Sequence, residues 1–242
     1  MYIILIMKRS DIQNIRILAI VPAYNEVESI EATMDDLITD APFVDVVIVD
    51  DGSTDDTAKV CIEHGWNLIS LPINLGLSDA FQAGMKYADA HDYDYVVQFD
   101  ADGQHIASFI EDLLTVAIDT DSDIVIGSRF LTSKKKKASA RMIGSAVLSR
   151  LLKLTAGQWI HDPTSGMRLY GKRPIKLFAT KYDYGPEPDT VALFIRKGFN
   201  VTECQVDMRE RVAGKSYLSL HRSMAYMIRM AISLLLVQWV RN

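Results

Sequence analysis

The chain has 242 residues, 49% of them apolar, enough for one α/β domain with a sizeable core and a tail. A formal net charge of -5 gives no basic surface for nucleic acid, and the two cysteines, Cys61 and Cys204, lie too far apart for a disulfide framework or a zinc-type spacing. Both read as small buried hydrophobes in a reducing cytoplasm; no run of about 18 uninterrupted apolar residues marks a transmembrane helix, and the apolar start, Met1 to Met7, is too short for a signal segment.

Ile15 to Val21 is an apolar run closed by Pro22 and predicts a buried strand. Ser29 to Ile38 has helical spacing, and Val44 to Val49 predicts a second buried strand. Ser53 and Asp56 then form a capping-box pattern, with Ser53 as N-cap of a helix running to His64 and Gly65 closing it. Asn67 to Leu71 predicts a short third strand. Leu77, Ala80, Phe81, Gly84, Met85 and Ala88 share one face of a third helix, and Tyr95 to Phe99 is the fourth strand.

A helix from Ile106 to Ile118 and a strand from Ile124 to Gly127 follow. Lys134 to Lys137 is a basic run in a loop, read first as a mobile solvated loop and, as the alternative, as a contact for anionic lipid or an acceptor diphosphate. Arg141 to Thr155 is helical. Gly157 to Pro188 is rich in turn residues, with a strand at Met167 to Tyr170. Val191 to Lys197 predicts a helix and Asn200 to Val206 a strand.

Strand alternating with helix predicts a parallel, doubly wound α/β sheet, in which ligands bind beyond the carboxyl ends of the strands. Asp50 and Asp51 fall at the end of the second strand, Asp100 and Asp102 at the end of the fourth, so both pairs are expected to face one crevice. Two carboxylates one residue apart, as in Asp100-Ala101-Asp102, reach one divalent cation if the backbone turns there. Mg²⁺ or Mn²⁺ suits such oxygen donors and offsets the charge that develops on a departing diphosphate. Gln104 adds a neutral oxygen ligand, and His105 is an imidazole neighbour. Asp50 or Asp51 is placed to accept from a ribose or a base.

Val21-Pro-Ala-Tyr-Asn-Glu26, Val49-Asp-Asp-Gly-Ser-Thr-Asp55, Asn74-Leu-Gly76 and Asp100-Ala-Asp-Gly-Gln-His105 occur in order. Gly127-Ser-Arg129, Asp162-Pro-Thr-Ser-Gly166 and Arg211-Val-Ala-Gly-Lys-Ser216 follow them. As a set these closely resemble the signatures of glycosyltransferase family 2. The resemblance implies the GT-A fold, with a mostly parallel central sheet, a nucleotide-sugar donor (UDP, GDP or dTDP), a divalent metal and inversion at the anomeric carbon. Carried onto this chain, it implies that Pro22, Ala23, Tyr24 and Glu26 border the base, and that Asp50 and Asp51 contact base and ribose. Gly76 lets the backbone approach the nucleotide. Asp100, Ala101, Asp102 and Gln104 make the metal and diphosphate site, and Arg129, Arg211 and Ser216 complete the donor pocket. The Pro-Glu-Pro-Asp stretch offers Glu187, and after it Asp189, as the base that takes an acceptor proton; the structural alternative is that they cap the helix at Val191. A phosphate acceptor needs no base. His161 reads first as a structural histidine, with a place near the acceptor as the alternative.

Met224 to Val240 is an apolar helix interrupted by Arg229, Ser233 and Gln238, with Tyr226 and Trp239 near its ends. It is expected as a C-terminal amphipathic helix, residues 219–242, on a catalytic domain of residues 1–218. Its partner is a membrane surface on the inner face of the cell membrane, a second copy in a homo-oligomer, or the domain's own core. The acceptor is a lipid-linked glycan or polysaccharide of the bacterial surface, or a polyprenyl phosphate. Pro22 to Asn25 lacks the glycine-rich loop of a nucleotidyltransferase. Neither G-x-G-x-x-G nor a Walker A loop is present, which disfavours dinucleotide oxidoreductases and P-loop kinases. A non-catalytic nucleotide-sugar-binding module is disfavoured by the presence of Asp100, Asp102 and Arg211.

Overall fold

The computed structural model describes residues 14–131, 140–181, 185–209 and 220–236. Lys134 to Lys137, Arg211, Ser216 and Trp239 lie outside them, as does the Met1 to Met7 start.

A seven-stranded sheet runs through the middle in the order β3-β2-β1-β4-β6-β5-β7. Its strands are β1 (Ile17–Ala23), β2 (Asp45–Asp50), β3 (Leu68–Ser70), β4 (Tyr95–Gln98), β5 (Ile124–Ser128), β6 (Arg168–Gly171) and β7 (Val201–Gln205). β1 is central and lies parallel to both β2 and β4. Its Leu18, Ala19 and Ile20 are 0% exposed, because helices cover both faces of the sheet.

On one face lie α1 (Ile30–Asp40), α2 (Thr57–Glu63) and α4 (Phe109–Asp119), which bury Ile30, Met34, Leu37, Cys61, Ile110 and Leu113 against the sheet. On the other lie α3 (Leu77–Ala90), α5 (Ala140–Ala156), α6 (Lys172–Thr180), α7 (Pro188–Arg196) and α8 (Leu220–Leu235). A ring cluster of Phe81, Tyr170, Phe178 and Phe194, with centroids 5.4–5.5 Å apart, fills that second core. Cys61 and Cys204 are both buried free thiols, and burial pushes each up to about 11, so both stay protonated at neutral pH.

The sheet is mostly parallel, as expected, with one exception: β6 runs antiparallel to both β4 and β5 and separates them. The chain leaves β5 at the carboxyl edge, and β6 begins at that same edge, so it must run back. Two local expectations, on α6 and on Ser53, need correction. The helix α6 lies in a stretch read as turns. Gly171 and Pro174 suggested a turn, but Pro174 falls in the first helical turn, where a missing N–H costs no internal hydrogen bond. Finally, Ser53 does not cap a helix. α2 starts at Thr57, because Ser53, Asp55 and Thr57 are bonded to the neighbouring loop instead.

α8 packs on α5 and α7. Met230 and Leu234 enter the same core as the sheet, so this helix is continuous with the domain rather than appended to it. Its outward positions Ile228, Ile232, Leu235 and Leu236 are also apolar and are 43–64% exposed. The outer face therefore lacks the polar character of an ordinary surface helix.

Candidate active site

The carboxyl ends of β2 and β4 flank that of β1. With strands spaced by about 4.8 Å, the acids after β2 and those after β4 stand roughly 10 Å apart across the end of β1. The loop from Tyr24 to Ser29 lies between them.

Each loop is fixed by its own polar residues. Asn25 sits at φ 54, a left-handed conformation that asparagine tolerates. Its Oδ1 accepts from the N–H groups of Thr54 and Asp55 at 2.8 and 3.3 Å. In return Ser53 Oγ accepts from Asn25 N–H and Thr57 Oγ1 from Glu26 N–H, both at 2.9 Å. The two loops are thereby zipped together. The base-side candidates Pro22, Tyr24 and Glu26 are half-buried on this zipper, and Ala23 is buried beneath it.

Asp50 and Asp51 are each 3% exposed but do different things. Asp51 accepts the N–H of Leu75 and of Gly76, one on each oxygen, at 2.8 Å. Charge-assisted bonds of this kind contribute about 1.5–3 kcal/mol each, so Asp51 fixes the Asn74-Leu-Gly76 loop. Asp50 accepts from Ser53 N–H at 3.1 Å and Ser70 Oγ at 3.4 Å. Directly after them, Gly52 has φ +67, and a side chain there would strike the backbone of Ile73. This close approach brings the third loop to the crevice.

After β4 the chain turns sharply through Asp100-Ala101-Asp102. Asp102 Oδ1 accepts the N–H of Gln104 at 3.1 Å, and the buried Ala101 offers its carbonyl to Thr33 Oγ1 at 3.1 Å. Asp100 Oδ1 accepts from Gln98 Nε2 at 3.2 Å. On its other side stands Gly166, where an added Cβ would lie 2.5 Å from Asp100 Oδ2. Asp36 ties the next stretch to α1 by accepting from Ala107 N–H and pairing with Arg209, whose own N–H donates to the Gln104 carbonyl.

Among the described residues no group of three His, Cys, Asp or Glu is disposed to hold a metal. A pair of carboxylates with room for ligand oxygens is nevertheless the donor set that suits Mg²⁺ or Mn²⁺, which keep waters and take phosphate oxygens. The residues fit such an ion. Asp100, Asp102 and Gln104 would hold it together with a diphosphate.

Beyond β5 the polar residues pair with one another. Arg129 closes its fork on Asp162, with Nε–Oδ2 at 2.6 Å and Nη2–Oδ1 at 2.8 Å, and Asp162 is 0% exposed. Glu203 on β7 accepts the N–H groups of His161 and Asp162 and pairs with the His161 ring at 2.8 Å. His161 is thus held at the border of this half. Arg168, 2% exposed, donates to the carbonyls of Pro163 and Ser165 and shapes the turn that presents Gly166.

Glu187 and Asp189 both face α8. Glu187 accepts from Tyr226 OH at 2.6 Å and from Arg229 at 3.3 Å, and Asp189 accepts from Ser233 Oγ. Burial and then the Glu187 charge push the Tyr226 hydroxyl well above its usual range, so it stays a donor. The helix begins at Pro188, and Glu187 does not cap it with its side chain; Asp189 Oδ1 accepts the adjacent Thr190 N–H. The fastening of α8 was invisible in sequence, because Ser233 read there as an interruption of an apolar helix and Tyr226 as a residue near its end, and neither pointed to a partner. A separate cleft of about 290 Å³, lined by Asp89, Tyr93, Lys172 and Lys176, lies at the opposite edge of the sheet from all of these groups.

Residues 18–178 match the family described as Glycosyl transferase family 2. The chain is 32% identical over 216 residues to an undecaprenyl-phosphate mannosyltransferase of Micrococcus luteus, covering 84% of this chain and 88% of that one. It is 29% identical over 216 residues to a polyprenol monophosphomannose synthase of Mycolicibacterium smegmatis, covering 84% and 81%. In fold it resembles a mannosyltransferase of Pyrobaculum calidifontis solved with GDP-Man and Mn²⁺. The TM-score is 0.66 at 17% identity, over 94% of this chain and 64% of the other.

Proposed function

The chain belongs to glycosyl transferase family 2, and from that membership we propose that it moves a sugar from a nucleoside-diphosphate sugar to the phosphate of a polyprenyl lipid. The observation that carries the reading is the placing of two acidic pairs across the end of β1. Asp50 and the Tyr24–Glu26 loop take the nucleoside, with Asp51 acting through the Gly76 loop. Asp100, Asp102 and Gln104 take the diphosphate and a divalent cation, which offsets the charge on the leaving group. Ala101 shapes that turn, and Arg211 and Ser216 complete the phosphate side, the fork of Arg129 being taken up by Asp162.

A phosphate acceptor agrees with the similarity to proteins named for polyprenyl-phosphate substrates. It also agrees with the occupation of both candidate bases by α8. In the reaction the bond from the anomeric carbon to the diphosphate oxygen breaks as one to an acceptor phosphate oxygen forms, with inversion. A dianionic acceptor becomes a monoanionic diester and the diphosphate carries the charge away, so no proton has to be removed.

Among the described residues no helix is long and apolar enough to cross a membrane. The stripe of Ile228, Ile232, Leu235 and Leu236 suits an interfacial seat instead, and it supports a peripheral position at the inner membrane face where a lipid acceptor is met.

The test is transfer of radiolabelled sugar from UDP-, GDP- and dTDP-sugars, with Mn²⁺, into vesicles containing undecaprenyl phosphate. Label in the organic-extractable lipid from one donor is expected; label recovered only in polysaccharide overturns the lipid-phosphate assignment. Glu187→Gln discriminates further. It is expected to hold turnover within about 3-fold, whereas a loss of roughly 100-fold would restore Glu187 as a base acting on a hydroxyl acceptor.

A further inference from the structure

We propose that His105 is a positioning residue that sets the turn through which Asp100 and Asp102 meet one cation; the inference rests on the reading of those aspartates as metal ligands. His105 is 3% exposed and packs edge-on against Phe99, with ring centroids 5.3 Å apart. Its Nδ1 accepts the backbone N–H of Asp100 at 2.9 Å. This bond spans the whole Asp100–Gln104 turn and closes it on itself. An Nδ1 that accepts leaves the proton on Nε2, and that nitrogen stands 3.6 Å from Asp100 Oδ2.

The imidazole therefore holds the backbone of Asp100 and stands beside its side chain. The other contacts finish the restraint. Gln98 Nε2 holds Oδ1, and the missing side chain of Gly166 leaves Oδ2 its space. Gln98 Oε1 is buried with no hydrogen-bond partner among the described residues, so the amide is turned to spend its donor on Asp100. Because Nδ1 is occupied by the backbone, His105 serves the site by orienting a ligand and not by being one. Partners of this kind are worth roughly 10- to 100-fold in metal affinity.

Two variants separate this role from simple packing. His105→Phe keeps a ring against Phe99 and removes both nitrogens. His105→Asn places an amide oxygen where Nδ1 was and keeps the acceptor for Asp100 N–H. Mn²⁺ is titrated into the full-length protein, with UDP and then with GDP present, and the free ion is counted by electron paramagnetic resonance while melting is followed in parallel. Mn²⁺ affinity is expected to fall at least about 10-fold in His105→Phe and to stay within about 3-fold of wild type in His105→Asn. Equal affinity in His105→Phe and wild type overturns the inference, as does an equal loss in both variants.

Wild type that binds no Mn²⁺ with either nucleotide overturns the metal reading itself, which is a separate outcome. Should His105→Phe fail to fold, long-range proton–nitrogen spectra of the wild-type histidines decide the matter. They are expected to show His105 protonated on Nε2, and a proton on Nδ1 would refute the contact with Asp100.

Discussion

Asp102→Asn is expected to lower the transfer rate by about 1,000-fold or more while leaving the melting temperature nearly unchanged. A cation beside a departing diphosphate stabilises the transition state by several kcal/mol, and roughly 4 kcal/mol corresponds to a factor of about 1,000. The fold has little reason to respond. The Asp102 oxygen that accepts the Gln104 N–H is matched in asparagine by an amide oxygen, so the turn keeps its bond. What asparagine cannot supply is negative charge. Excess chelator added to wild type should reproduce the loss, and chelator added to the variant should do nothing further. Full activity in the variant, or in chelated wild type, would remove the metal from the mechanism.

A large effect of the opposite kind is expected from Arg129→Met: loss of stability, measured by urea and by heat. Asp162 is 0% exposed, and the guanidinium supplies its counter-charge through two short bonds. Methionine leaves the carboxylate with the backbone N–H of residue 129 and the Thr164 hydroxyl, and no cation. Stranding one member of a buried pair costs about 3–5 kcal/mol, or roughly 6–20 °C in melting temperature for a domain of this size. The double variant Arg129→Met/Asp162→Leu should recover most of it, since an apolar pair of similar volume is often as stable as the ionic one. A single-variant loss under about 1 kcal/mol would mean that backbone dipoles alone sustain Asp162. Turnover compared well below both melting points then tells whether Arg129 also serves the donor site.

Most of the donor half was legible before any coordinates. An apolar strand ending abruptly in acids is a local pattern, and β2 and β4 carry it plainly, so the crevice could be placed. What escaped depends on partners distant in the chain. Asp51 looked like a ligand contact, but its oxygens hold the Leu75 and Gly76 N–H groups. Ser53 matched a capping box because its spacing is correct, yet Asn25 offered it a better partner across the crevice. The antiparallel sense of β6 has no local signature at all, since a four-residue strand, here Arg-Leu-Tyr-Gly, carries nothing that marks its direction. Glu187 was singled out as an acid in a Pro-rich stretch, and nothing nearby announced that Tyr226 would donate to it. His105 was visible as a neighbour of the aspartates, but its reach back to the Asp100 N–H appears only when the turn is closed.

The strand that runs backwards has a consequence in time as well as in space. β3, β2 and β1 find all their partners among residues made early, and these strands are ready to pair with one edge of β4 as soon as β4 clears the ribosome. β5, though made next, has no place beside β4, for that edge belongs to β6. Until β6 emerges, β4 presents an unpaired apolar edge, and β5 waits for the strand that links it to the rest. The half that carries Asp50, Asp51, Asp100 and Asp102 thus has its scaffold before the opposite half has one. The interval between the two is the period when the nascent chain most needs shielding from other strands.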